Sequence, residues 1–481
     1  MLSRKAYSGS IRDRRVKSMT RMRKIRLALL VFGTSICAAA QNSSQSQPET
    51  TPAPAPAFGQ NAPVLNPENP PVSGLDEPGL DLHTASRSFI SPALQVSESA
   101  DTNGGNQIGN TGLESVTHVL GALDIQQFWP KSDLFLEYLG GGAFYSSPFD
   151  ARQLQDAGLE AVTRWRTGQV TLRDSFSYLP DGSFQIGFGG DPGLGLISGG
   201  LGTGIPGIQQ SNGQFGSVGN IPRLANTAML DAVQALSPVS AITVAGGFGN
   251  AHFYDRTNTL INSDQFTAQA GYSHLLSRRD QIGVVYGFQL FQFPQVSGGQ
   301  IYNHIVNVRW SHTITGRLSL IAGAGPQYTD LQLNGFLSNW SLSARVQLRY
   351  KFSHASLIAS YEKFTSSGSG FFAGAKTQAA RLAFTRPLGR TWEVYGDLGY
   401  SHNAKLQAAN FGVNASSYDE GSAGAVFRKH LGRSYDFFAA YRFSEVAFNV
   451  PVFLSGTGGR ISQRHIGTIG VEWHPRPTRI D

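Results

Sequence analysis

Cysteine is almost absent. The 481 residues hold one, Cys37, and a lone thiol builds no internal disulfide. Charge is scarce as well: Asp, Glu, Lys and Arg make up 15%, against roughly 25% in an average soluble domain. Long apolar runs are missing too. Past residue 40 no stretch approaches the roughly 18 consecutive apolar residues of a helical span. These gaps exclude a disulfide-stapled secreted domain and a bundle of membrane helices. A net cationic surface is also missing, despite the formal charge of +7. Ten of the basic residues, from Arg4 to Arg26, crowd into residues 1–40 beside one acid, Asp13. The remainder is slightly acidic and carries no Lys/Arg run, so the chain has no phosphate-binding footprint and no nucleic-acid partner.

What is abundant points to β-structure: 56 Gly, 30 Phe and 16 Tyr. The basic start has a different meaning. Arg21-Met22-Arg23-Lys24-Ile25-Arg26 precedes an apolar core from Leu27 to Cys37, and Ala38-Ala39-Ala40 offers a small-residue cleavage site before Gln41. Residues 1–40 therefore read as a signal peptide, its core too short to span a bilayer. Cys37 is not a lipoprotein anchor, because bulky Ile36 stands where a small residue is needed. Residues 41–85, rich in Pro, Gln, Ser and Ala, cannot bury a core and read as a disordered periplasmic tether.

From about residue 86 to 475 a period of two takes over. Along residues 341–352, Leu342, Ala344, Val346, Leu348, Tyr350 and Phe352 share one face, and Ser341, Ser343, Arg345, Gln347, Arg349 and Lys351 the other. Three cations opposite six apolar groups need water on one side and oil on the other. Such segments recur about eighteen times (16–18), one of them over 157–167, joined alternately by tight turns such as Thr167-Gly168 and by longer stretches such as 147–156, 367–374 and 449–460. Backbone groups in hydrocarbon must all be paired, so strands that cross a bilayer close on themselves. The expectation is an all-β fold: a transmembrane antiparallel β-barrel in the cell outer membrane, with short periplasmic turns, long outer loops and a tail at 476–481. Trp129, Tyr145, Tyr178, Phe293, Phe352, Trp392, Tyr435 and Trp473 fall near strand ends, where an interfacial girdle is expected.

No motif argues for chemistry. Gly202-Thr203-Gly204-Ile205-Pro206-Gly207 has the spacing of a dinucleotide loop, but lacks the strand-to-helix context and carries a proline where the helix should start. The 11 His are scattered without metal-ligand spacing. Ser211-Asn212-Gly213 resembles a stretch of the outer-membrane phospholipases without their upstream His. The reading is no enzyme, no cofactor and no metal. The candidate functional residues are lumen charges that would tune solute passage: Arg309, Arg345, Arg349, Lys351, Glu393 and Asp397. The Gly-rich loop 181–223 is the one segment expected to be able to fill the lumen, and a place on the surface is the favoured reading.

The stretches 90–103 (ISPALQVSESADTN), 134–147 (LFLEYLGGGAFYSS) and 170–182 (VTLRDSFSYLPDG) resemble the outer-membrane β-barrel proteins found with exosortase and exopolysaccharide systems and those of Acidobacteria. Ala100 replaces the aromatic that the family often has there. The resemblance implies an outer-membrane place and a link to surface polysaccharide. Two functions follow: a porin-like channel for small polar solutes, or a non-conducting scaffold or partner in exopolysaccharide export. The expected partners are outer-membrane lipid and the barrel-assembly machinery, with surface polysaccharide as a further partner of the second function.

Overall fold

The computed structural model describes residues 88–480 except 104–107, 109–111, 147–150, 180–221, 255–259, 298, 333–335, 369, 407–413 and 455–456. Residues 1–40 and 41–85, expected as signal peptide and tether, and nearly all of the loop 181–223 lie outside the described residues. Among the described residues, no helix is long and apolar enough to cross a membrane.

Eighteen long strands follow one another, with a two-residue nineteenth. They are β1 (Phe89–Asp101), β2 (Glu114–Phe128), β3 (Ser132–Tyr145), β4 (Arg152–Trp165), β5 (Gly168–Leu179), β6 (Arg223–Ser237), β7 (Ser240–Phe253), β8 (Ser263–Leu275) and β9 (Asp280–Gln292). There follow β10 (Gln300–Thr315), β11 (Leu318–Gln332), β12 (Phe336–Lys351), β13 (Ser356–Ser366), β14 (Ala375–Leu388), β15 (Trp392–Lys405), β16 (Ser417–Leu431), β17 (Tyr435–Leu454), β18 (Thr457–Trp473) and β19 (Thr478–Arg479). Each long strand pairs antiparallel with its sequence neighbours, and β1 pairs with β18, Leu94 opposite Trp473 and Asp101 opposite Ile466. The sheet is closed, which leaves no long edge to template aggregation.

The alternation in the sequence decides which side is which. On β12, Leu342, Val346 and Leu348 face outward and are exposed, while Ser343 and Gln347 are buried on the inner face. Trp129, Phe352, Trp392, Tyr435 and Trp473 stand exposed at the short-turn rim, and Lys429 sets its ammonium 5.1 Å over the Trp392 ring. The outer face also carries polar pairs: Tyr286 and His304 share a 2.8 Å hydrogen bond, as do Tyr441 and His465. Phe293 does not join the girdle: it is buried in an apolar cluster inside the long-loop mouth.

The strands differ from the sequence expectation at three places. β4 starts at Arg152 rather than near 157, because residues 152–155 continue the ladder with Gly140–Ala143 of β3. β17 and β18 run into the segment 449–460 expected as loop, with Val452 opposite Gly459 beyond a register shift. The tail is not outside the sheet either, since Thr478 and Arg479 pair with Ile90 and Phe89.

Candidate transport lumen

Inner-face side chains come from alternate residues of every strand, so lumen chemistry can be followed around the ring. At the β1–β18 seam, Arg464 donates from Nε (2.9 Å) and Nη2 (2.7 Å) to Asp101. On β2–β6 the inner face is acid-rich, with Asp124, Glu137 and Asp156. Arg173 bridges Glu160 (3.0 Å) and Asp231, and Arg164 meets Asp133 at 2.6 Å. From β12 to β18 the charges alternate in sign. Arg345 lies 3.3 Å from Glu362, and Arg381 stands among Glu362, Asp397 and Glu420. At the short-turn end Asp436 accepts from Arg428 Nε (2.6 Å) and bonds His430 Nδ1 (2.8 Å). Glu393 closes that group, 3.7 Å from His430 and accepting from the Tyr395 hydroxyl at 2.6 Å.

The six residues singled out in the sequence are thus scattered. Arg345 and Asp397 meet in the Arg381 group. Glu393 belongs to the separate Asp436 group. Arg349 is half-buried further along the inner face of β12, and Lys351 is exposed at the rim. Arg309 is buried on β10, in another sector, close against Gly323, where a Cβ would stand only 3.1 Å from its Cγ. Glu362, Arg381, Arg428, Asp436 and the Arg173 triad were missed. Each sits at inner-face parity on its own strand, so the face rule that found Arg345 would have found them had it been carried to every strand.

The sector β7–β11 is different. Arg309 is its one inner-face charge among the described residues, and its polar lining is amide and hydroxyl. Asn303 donates to Gln289 Oε1 (2.9 Å) and accepts from Gln327 (2.9 Å) and Thr329 (2.5 Å), while Gln327 also reaches Thr365 (2.5 Å).

Above these polar layers the long-loop mouth is crossed by residues 367–374, the β13–β14 connection. Gly368, Gly370 and Gly374 take φ of 90°, 81° and 83°, a region open to glycine and costly for other residues. The turn this allows drives Phe371 and Phe372 inward, 1% and 0% exposed. Phe371 packs on Tyr418 (5.2 Å) and Phe448 (5.3 Å). On its other flank the Gly370 carbonyl accepts from Ile261 N (2.8 Å), and a Cβ at Gly370 would sit 2.7 Å from the Phe253 ring. Phe253 ends β7 and Tyr418 opens β16, nine strands apart in either direction around the ring of eighteen. The loop therefore bridges opposite walls. Burying two Phe rings contributes roughly 3–6 kcal/mol to holding it there, at about 1.5–3 kcal/mol each. The sequence pointed to loop 181–223 as the only possible filler, and this shorter loop corrects that. Residence in the mouth is set by two adjacent aromatics between glycines, not by length.

A closed antiparallel barrel with an apolar exterior, an aromatic rim and a charged interior is a membrane-spanning β-barrel of the outer-membrane class. No family model and no curated protein matches the sequence. Among solved structures the chain is similar to Pseudomonas aeruginosa OccK5 (OpdH), at 12% identity and a TM-score of 0.41, covering 82% of this chain and 98% of that one. It is also similar to P. aeruginosa OccK2 (OpdF) in complex with glucuronate, at 10% identity and a TM-score of 0.40, covering 82% and 98%. A BenF-like porin from Pseudomonas fluorescens Pf-5 matches at 10% identity and a TM-score of 0.40, covering 82% and 99%. These neighbours are outer-membrane barrels, and at such identity the likeness concerns fold.

Proposed function

We propose that the chain is a porin-like, non-enzymatic channel for small polar solutes, held shut at its long-loop mouth by the Phe371–Phe372 latch. One observation carries the reading. The inner face is lined from seam to seam with charged, amide and hydroxyl side chains, a lining that suits aqueous passage and that a solid apolar core would not need. The lumen charges Arg309, Arg345, Arg349, Lys351, Glu393 and Asp397 would then act on passing ions through their field. The latch is an apolar constriction, and such constrictions gate by excluding water.

A second reading draws on the same latch. A mouth crossed by packed aromatics suits a non-conducting scaffold, and the resemblance to exopolysaccharide-associated barrels would give it surface polysaccharide as its partner. Single-channel recording separates the two. The refolded protein and its Phe371→Ala/Phe372→Ala variant are compared in a planar bilayer at 1 M KCl. A quiet wild type and a conducting variant support the latched channel. Silence from both, with heat-modifiable migration on gels showing that both are folded, refutes the channel and leaves the scaffold.

A further inference from the structure

Every strand outside β7–β11 sets at least one charged side chain on the inner face, whereas those five consecutive strands set only Arg309 there among the described residues. The charge-poor strip is not apolar. Below the latch amides and hydroxyls share it with Val285, Ile305 and Arg309, and three of its buried polar atoms have no protein partner: Gln289 Nε2, Gln281 Oε1 and Ser311 Oγ. These side chains are 1%, 5% and 1% exposed. Buried polar atoms are nearly always satisfied, so unused capacity of this kind marks a place where something else bonds. Gln281 and Ser311 face each other across β9 and β10. Gln289 lies eight residues up the same face of β9, about 26 Å away at 3.3 Å per residue. The unused groups therefore flank a run of roughly 20 Å across the membrane, once the strand is tilted by about 40°.

Resting on the channel reading, we propose that this strip is a track for a neutral polyhydroxylated solute, a sugar or short oligosaccharide. Amide groups present donors and acceptors together, and hydroxyls need both. A free amide hydrogen, a free amide oxygen and a free hydroxyl offer each role along one wall. The lack of charge matters as much. With Arg309 as its one charge, the strip offers an ion far less than the charged arc does, while a neutral polyol gains hydrogen bonds here without displacing counterions. At the top of the track Phe291 follows Gln289 on the same face and is packed into the apolar cluster of the mouth, which ends the polar lining there.

The test uses the refolded protein carrying Phe371→Ala/Phe372→Ala, with maltotriose as the probe and block of the KCl current as the readout. Maltotriose is expected to reduce the current saturably, with a half-blocking concentration unchanged between 0.1 and 1 M KCl, because no charge holds the solute. Adding Gln289→Ala, or separately Gln281→Ala at the other end, should raise that concentration about three- to tenfold, as loss of one hydrogen bond allows. Normal KCl conductance certifies that each variant is folded. A current that maltotriose leaves unchanged, or a block that weakens steeply with salt and ignores both glutamines, overturns the track and leaves the channel standing. No current under any condition removes the channel and the track with it.

Discussion

The sharpest consequence of the barrel is that two adjacent residues of β12, Val346 and Gln347, stand on opposite sides of a wall. The outward residues of this strand run from Trp340 to Phe352, with Val346 midway. Twelve residues span about 40 Å along the strand, or roughly 30 Å across the membrane once tilted by about 40°. Val346 is thus near mid-bilayer, flanked outward by Ala322 and Tyr361. An arginine there should cost about 2–4 kcal/mol. Gln347 points the other way, between Arg345 and Arg349 on the inner face of the same strand. Gln347→Glu keeps the side chain's size and adds a carboxylate between two cations, so it should be neutral or stabilising. Urea unfolding of both variants from liposomes gives the comparison. Val346→Arg should lower the unfolding free energy by at least 2 kcal/mol and reduce the heat-modifiable fraction, while Gln347→Glu stays within about 0.5 kcal/mol of wild type or above it. Equal effects from the two would refute the face assignment and the register of β12 together.

Three further outcomes are expected. Gly370→Ala strains a φ of 81° and pushes a methyl into the Phe253 ring, so it should free the latch and raise ionic conductance while leaving the heat-modifiable fraction near wild type. Arg464→Ala strips the buried Asp101 of its cation at the β1–β18 seam and should cost about 3–5 kcal/mol in urea unfolding; Asp101→Asn/Arg464→Ala should recover part of it. His474, just past β18, directs Nε2 at Asp436 Oδ2, 3.4 Å away, and that carboxylate raises its pKa above the usual histidine value. A raised pKa means that protonated His474 stabilises the short-turn end fully below about pH 6.5 and loses that effect as pH climbs through the folded value. Urea midpoints at pH 5.5 and 9 should differ in the wild type and differ less in His474→Gln.

Strand positions were legible because a barrel writes its two environments into alternate residues. Ser341 to Phe352 needed no partner strand to be oriented, and the tight turns fixed the count. The lumen was legible only one strand at a time. Arg345 could be placed inward from β12 alone, but its partner Glu362 comes from β13, and the Arg381 group draws on five strands. The latch was missed for another reason. A loop that folds inward breaks the rule that loops are polar, and its signal, Gly370 then Phe371-Phe372 then Gly374, lies in a segment too short to suggest a plug. The same aromatics misdirect the girdle reading at Phe293, because a ring near a strand end can turn to either side of the wall.

The seam also says something about the order in which this molecule can be finished. β1 takes β18 as its partner over Leu94–Asp101, but at its lower end Phe89 and Ile90 are paired by Thr478 and Arg479. The first strand therefore stays partly open until Thr478 and Arg479 have docked. A polypeptide that stops short of Thr478 presents two bare backbone positions beside the first strand, a fault felt at the membrane-facing rim and nowhere else. Closure of the ring thus takes two dockings at one seam, β18 along the upper part of β1 and β19 along its foot.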